Sequence, residues 1–300
     1  MSSFYKRRLS KTDFNFIYLF YITFQSNHCM NQKSSYLLLA LIAIITSCGS
    51  NNNAERDNDI VTSHEEIPEP QKMNFNIISS YPHDTSAYTQ GLEIFNGKMY
   101  ESTGDYVNSS IRITNYKNGS VEKKHLMGTD KIFGEGITIL NNKIYQLTWQ
   151  SNIVYVYDIN NIEKPIQTFN WPYEGWGITH DNQQLYVSDG TANIYIVDPA
   201  TFKVKSIINV KDNEGAVAQL NELEYVNGFL FANIYQTEII VKINPENGKI
   251  IERAYLPNLL KDEEKSERTD VLNGIAYDSI SKNFFITGKR WPKMFEVKFN

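Results

Sequence analysis

Beyond Asn74 the chain alternates apolar and polar positions in short runs, and the runs recur with a long period. Five units open in the same way: Gln90-Gly-Leu-Glu-Ile94, Glu135-Gly-Ile-Thr-Ile139, Trp176-Gly-Ile-Thr-His180, Asn221-Glu-Leu-Glu-Tyr225 and Asn273-Gly-Ile-Ala-Tyr277. Such alternation puts successive side chains on opposite faces of a strand. The glycine position falls at 91, 136, 177, 222 and 274, in steps of 45, 41, 45 and 52, and only the fourth unit replaces glycine, with Glu222. Each opening strand leads into a polar turn (Asn96-Gly97, Asn141-Asn142, Asp181-Asn182, Asn227-Gly228, Ser279 to Ser281) and then a second strand such as Lys98 to Glu101 or Gln184 to Val187. Turn residues between alternating runs predict hairpins. A third strand follows at Ile111 to Thr114, Ile153 to Tyr157, Ile194 to Val197, Ile239 to Ile243 and Met294 to Val297. Asp198-Pro199 and Asn244-Pro245 punctuate its end, and a fourth strand comes next, as in Val204 to Val210.

Four strands per unit at a period in the forties is the size of one propeller blade. The expected fold is therefore all-β, a five-bladed β-propeller with four antiparallel strands per blade. The fifth unit reaches Asn300 after three strands, so Phe75 to Ser79, ahead of the first unit, is expected to supply the missing strand and close the ring. Closure leaves no free edge. A β-sandwich with coincidental repeats is the rival architecture. Composition agrees with strands, since 19 Tyr and 16 Phe bring aromatics to 13%. A net charge of −5 with dispersed Lys and Arg gives no basic footprint, so no nucleic acid partner is expected.

Upstream, Met30-Asn-Gln-Lys33, the apolar run Leu37 to Ile45 and Thr46-Ser-Cys-Gly49 form a charged head, a short apolar segment and small residues before a cysteine. That segment is too short to span a membrane and reads as a secretory signal, similar to a bacterial lipoprotein signal in which Cys48 is lipidated after cleavage. The expected organisation is a start assigned too far upstream or a signal-anchor extension over 1–29, a signal peptide over 30–47, a polar tether over 48–72 and the propeller over 73–300. The product would be a lipid-anchored, monomeric protein of the cell envelope. The two cysteines, Cys29 and Cys48, both precede the folded region, which removes disulfides, thiol nucleophiles and Cys-based zinc sites.

Because the first strand of each blade lines the axis of a propeller, equivalent positions converge at one end of it. The residue before the repeat glycine is Gln90, Glu135, Trp176, Asn221 or Asn273. One acid, three carboxamides and an indole look like a pocket, whereas structural repetition would favour one residue type; a ring that merely plugs the channel is the alternative. Thirteen residues beyond the glycine position stand Gly104, Trp149, Gly190 and Tyr235, with Gly288-Lys289 at the corresponding place in the fifth unit. His83, His125 and His180 have no metal-ligand spacing, and no Gly-x-Ser-x-Gly, P-loop or dinucleotide fingerprint occurs. No metal or cofactor is expected. Glu101, inside Glu101-Ser-Thr-Gly104, is a second carboxylate of interest but reads equally as a hairpin pair.

Tyr88-Thr-Gln-Gly-Leu-Glu93, Tyr100-Glu-Ser-Thr-Gly104, Ser109-Ser-Ile-Arg112, Phe133-Gly-Glu-Gly-Ile137, Gln146-Leu-Thr-Trp149, Glu174-Gly-Trp-Gly177, Leu220-Asn-Glu-Leu-Glu224 and Thr287-Gly-Lys-Arg-Trp-Pro292 occur in order across residues 75 to 300. Together they resemble the glutamine cyclotransferases of the plant and bacterial type. The resemblance implies a five-bladed propeller that converts the N-terminal glutamine of peptides or proteins to pyroglutamate and releases ammonia. It also implies a single catalytic glutamate, which falls on Glu135, and pocket residues on Gln90, Trp149, Trp176, Asn221 and Lys289. Tyr235 departs from the family's usual tryptophan after Ala-Asn-x, which bears on substrate preference more than on the reaction.

The residue inventory is compatible with that chemistry. The substrate's own amine is the nucleophile, so no serine or cysteine triad is required. An enzyme must fold the side chain back, move one proton and stabilise an oxyanion. Glu135 can carry the proton, Trp149, Trp176 and Tyr235 can wall the pocket, and Gln90, Asn221 and Lys289 can bond the substrate, with their individual roles open. Gly134 and Gly136 would let substrate approach Glu135, or serve only blade packing. A propeller that only binds a ligand or protein partner is the rival function, and a cofactor-dependent dehydrogenase the third.

Overall fold

Hairpins form where the alternating runs break at residues that tolerate a left-handed backbone. Asn96 and Gly97 take φ 51 and 74, Asn141 and Asn142 take 53 and 60, and Asn227 and Gly228 take 50 and 89. Two successive positive φ values define the tight turn whose twist matches that of paired strands. The computed structural model describes residues 66–300. The expected signal segment, the lipidation site Cys48 and the tether up to residue 65 lie outside the described residues.

Five four-stranded antiparallel arrays follow in chain order. Blade 1 contains Thr89–Phe95, Lys98–Thr103, Ser110–Asn115 and Ser120–Leu126; blade 2 contains Gly134–Leu140, Lys143–Thr148, Ile153–Asp158 and Gln167–Asn170. Blade 3 contains Ile178–His180, Leu185–Ser188, Asn193–Val197 and Val204–Asn209; blade 4 contains Leu220–Val226, Phe229–Ile234, Ile239–Ile243 and Ile250–Tyr255. Blade 5 contains Leu272–Asp278, Asn283–Gly288 and Lys293–Phe299, and its outer strand is Phe75–Pro82. That strand runs antiparallel to the last one, from Phe75 opposite Phe299 to Pro82 opposite Lys293, and closes the ring as expected. Gln71–Lys72 adds a short parallel strand outside Ile250–Tyr255 of blade 4.

The core is divided among the blade interfaces. Separate buried apolar clusters join blades 1 and 2 (around Ile111, Ile137 and Ile144), 2 and 3 (Leu147, Trp171, Val187), 3 and 4 (Ile194, Leu223, Val241), 4 and 5 (Phe231, Leu260, Phe284), and 5 and 1 (Leu92, Met99, Phe285). Nearer the axis, polar side chains tie one innermost strand to the next. Glu93 accepts from Thr138 Oγ1 and the Ile139 N–H, Thr179 Oγ1 accepts from the Tyr225 N–H, and Glu224 accepts from the Tyr277 N–H. Glu222, at the repeat's one non-glycine position, reaches across to accept from Leu92 N–H at 3.1 Å and Ile275 N–H at 2.8 Å. Innermost strands diverge from one another, so their inward N–H groups need such side-chain acceptors once buried.

Candidate active site

In blades 1, 2, 4 and 5 the ladder between the two innermost strands slips where the repeat glycine lies, between Thr89 and Gly91, Gly134 and Ile137, Leu220 and Leu223, and Leu272 and Ile275. A slip of this kind is a β-bulge, which leaves a residue outside the ladder and re-aims its side chain. Gln90, Glu135 and Asn221 occupy the bulges, and Trp176 sits just ahead of Ile178–His180. Trp149, Tyr235 and Lys289 follow the second strands of blades 2, 4 and 5. All seven line one cavity of about 250 Å³ together with Tyr88 and Phe133. That is below the roughly 300–1,000 Å³ of pockets for drug-sized ligands, and suits a single amino-acid residue.

Asn273, the fifth ring position, lies behind the cavity. Its Nδ2 donates to the Thr89 carbonyl at 3.0 Å and to Gln90 Oε1 at 3.3 Å. With Oε1 so engaged, Gln90 turns Nε2 toward Glu135 and donates to its Oε1 at 3.1 Å. Asn221 brings a carboxamide whose Oδ1 is buried without a protein partner. Lys289, 3% exposed, holds its ammonium 4.8 Å from the centre of the Tyr88 ring and 4.9 Å from that of Tyr235. Ring faces attract a cation without neutralising it. Burial lowers the Lys289 pKa, against the pull of Glu135 and Asp270.

Glu135 is 5% exposed. Burial pushes its carboxyl well above the ordinary range, the Lys289 charge opposes this and the Glu174 charge adds to it. A carboxyl whose pKa is raised by burial exchanges its proton at higher pH than an ordinary one, as a general acid and base requires.

The glycines on either side of Glu135 serve packing. A Cβ on Gly136 would stand 2.7 Å from the Trp176 carbonyl oxygen and 2.9 Å from Gly177 Cα, and one on Gly134 would stand 2.7 Å from the Thr103 carbonyl oxygen. They admit the neighbouring backbone, which replaces the expectation that they admit substrate. Gly190, with φ +80, clears the space filled by the Trp176 indole, whose Cζ2 would lie 2.5 Å from an added Cβ.

Glu101 faces away from this cavity. It accepts from Thr89 Oγ1 at 2.7 Å and pairs with His83 Nε2 at 3.0 Å, while His83 Nδ1 lies 2.8 Å from the Trp291 carbonyl. Burial disfavours a charged His83, but the Glu101 carboxylate prevails and raises its pKa. The pair thus locks the seam where the ring closes. His180 likewise meets Glu93 at 3.4 Å, so neither histidine is isolated.

The glutamine cyclotransferase family matches residues 40–299 of the chain. A glutaminyl-peptide cyclotransferase of Arabidopsis thaliana is 39% identical over 225 residues, 74% of this chain and 70% of that protein. The crystal structure of Myxococcus xanthus glutaminyl cyclase superposes with a TM-score of 0.71 at 31% identity, covering 77% of this chain and 99% of that one. The chain belongs to the glutamine cyclotransferase family.

In this glutamine cyclotransferase three residues about the pocket share a position outside the ring of five. Tyr88, Phe133 and Glu174 each stand two residues before a ring residue, in the segments just ahead of the innermost strands Thr89–Phe95, Gly134–Leu140 and Ile178–His180. Phe133 packs edge-on against Trp149, with ring centres 5.9 Å apart. Tyr88 donates its hydroxyl to Asp270 Oδ2 at 3.0 Å. Glu174 accepts the indole N–H of both Trp149, at 2.8 Å, and Trp176, at 3.0 Å, on one oxygen, and Gln150 Nε2 at 2.9 Å on the other. Donors from these three side chains outweigh partial burial and lower its pKa, so Glu174 is a fixed anion that sets both indole planes.

Proposed function

We propose that this chain is a glutaminyl-peptide cyclotransferase in which Glu135 is the general acid and base. A buried carboxyl of raised pKa, bonded on one oxygen and set in an aromatic cavity sized for one residue, is the observation that carries the reading. The substrate's N-terminal glutamine enters with its side chain folded between Trp149, Trp176 and Tyr235. Its α-amine attacks the side-chain amide carbon, forming the ring C–N bond and a tetrahedral oxyanion, while the amine's proton passes to Glu135. Glu135 then returns that proton to the amide nitrogen, the C–N bond breaks, and ammonia leaves a five-membered lactam. Lys289 is the cation available to the oxyanion, and the Asn221 carboxamide offers a polar contact to the amide. No enzyme nucleophile is used.

The test is release of ammonia from Gln-Ala amide by the purified protein, with mass spectrometry of the product. Stoichiometric ammonia and pyroglutamyl-Ala amide support the reading. Binding of the peptide without turnover would instead favour a propeller that only binds a ligand.

In the same reading a lipid on Cys48 holds the protein at the cell envelope, supported by the apolar run Leu37 to Ile45 ending in Thr46-Ser-Cys-Gly49. Membrane association should be lost in Cys48→Ser; retention in that variant, or an unprocessed N-terminus by mass spectrometry, contradicts it.

A further inference from the structure

The last step of the repeat, 52 residues against 41 to 45 elsewhere, marks an insertion. Its extra length lies in the connection 256–271 between blades 4 and 5, longer than the equivalent connections 127–133, 171–177 and 210–219. All four lead into the innermost strands at the end where the ring residues Glu135, Trp176, Asn221 and Asn273 stand, so the insertion stands on the same rim as the active site. It has little regular structure beyond the single turn Asp262–Glu264, yet it is well anchored. Leu259 and Leu260 are buried in the core between blades 4 and 5, Glu264 pairs with Lys293, and Trp291 Nε1 donates to the Asp270 carbonyl at 2.9 Å.

This wall and the Gln236–Ile239 turn of blade 4 enclose a groove of about 650 Å³ lined by Glu238, Tyr255, Lys265, Asp270 and Trp291 among others. The groove and the catalytic cavity share their partition. Gln236 in the groove follows Tyr235 in the cavity, and Asp270 receives the hydroxyl of Tyr88. Lys289 is bonded into the same partition, its carbonyl accepting from Asp270 N–H at 3.0 Å and its N–H donating to the Val271 carbonyl at 2.9 Å.

We propose that this groove binds the residues that follow the N-terminal glutamine of a peptide substrate and that its carboxylates favour a basic side chain there. The inference rests on the cyclotransferase reading. A cavity of about 250 Å³ holds the reacting residue, so the rest of a peptide must pass over the rim. The blade 4–5 side offers a rigid channel directly across the partition. Among the described residues Glu238 makes no ion pair and Lys265 is paired with Asp262 at 2.8 Å, so the two carboxylates lining the groove, Glu238 and Asp270, outnumber its one cation, although Lys265 and Lys289 lie within electrostatic reach of them. Tyr255, 58% exposed, adds an aromatic face for a side-chain stem or a guanidinium.

The experiment compares kcat/KM for Gln-Ala amide with that for tetrapeptide amides carrying a single Lys or a single Glu at the second, third or fourth position. At low salt the Lys peptide should exceed its Glu counterpart by about three- to tenfold in at least one position, with the gap narrowing as salt is added, as for partly exposed charges. Glu238→Lys should abolish or reverse that preference, and Glu238→Gln should reduce it, while both leave Gln-Ala amide turnover within about twofold and the melting temperature unchanged. Equal rates for all tetrapeptides, or a preference that survives Glu238→Lys in a folded protein, overturns the subsite and leaves the cyclotransferase reading intact. Absence of ammonia from Gln-Ala amide itself would overturn both.

Discussion

At the scale of single residues, two charges of opposite sign act on one titrating acid. Lys289 pulls the Glu135 pKa down and Glu174 pushes it up, while burial holds it well above the ordinary carboxyl range. In the proposed mechanism cyclisation needs Glu135 as carboxylate and the substrate amine neutral, with a free-amine pKa near ~8. The kcat/KM profile should rise from acid pH as these two forms appear, and the limb that moves with the charges around Glu135 reports its ionisation. Lys289→Met deletes the charge that favours the carboxylate and should move that limb to higher pH. Glu174→Gln deletes the charge that disfavours it and should move the limb to lower pH, with a rise in KM because the two indoles lose a shared acceptor. Shifts of the same sign in both variants, measured on Gln-Ala amide, would contradict the electrostatic account of the pocket.

At the scale of elements, each pocket residue depends on how closely one innermost strand approaches the next. Gly136→Ala would drive a methyl into the backbone of Trp176 and Gly177. A cost of about 1–3 kcal/mol, the usual range for overpacking, is expected, and urea unfolding reads it; an unchanged midpoint would contradict the close approach. The blades, the closing strand and the convergence of Gln90, Glu135, Trp149, Trp176, Asn221, Tyr235 and Lys289 on one cavity were legible because a repeat assigns every position an equivalent place about the axis. Asn273 misled that logic: Gly274 takes φ +116 and Asn273 bonds back onto Thr89 and Gln90 instead of facing the cavity. Tyr88, Phe133 and Glu174 were not legible because they lie in the connections just ahead of the innermost strands, where no strand period fixes which way a side chain faces. The seam between His83 and Glu101 was invisible for a different reason. It exists only because the ring closes, bringing His83 beneath the Trp291 carbonyl far along the chain. The step of 52 announced an insertion but not its fold, since a segment without hydrophobic period carries no signal for its path.

At the scale of the whole molecule, the channel buries carboxyls whose pKa is raised. Burial raises the pKa of both Glu222 and Glu224 well above the ordinary carboxyl value, and neighbouring glutamates add to it. An acid whose folded pKa is raised contributes stability that is complete below the unfolded value near ~4.3 and is lost as pH climbs through the folded value. The melting temperature should therefore decline from weakly acid to alkaline pH. Glu224→Gln removes one such proton site and should flatten the decline, by up to about 1.4 kcal/mol per pH unit; parallel curves for variant and wild type would contradict the linkage. Function asks the same fold to bury one further acid, Glu135, where substrate can reach it. The most direct measurement is kcat of Glu135→Gln on Gln-Ala amide, because glutamine keeps the volume and the bond to Gln90 but cannot shuttle the proton. A fall of at least ~100-fold with little change in melting temperature is predicted. Near-normal turnover in Glu135→Gln, with abolition in Glu101→Gln, would contradict it and move the chemistry to the seam of the ring.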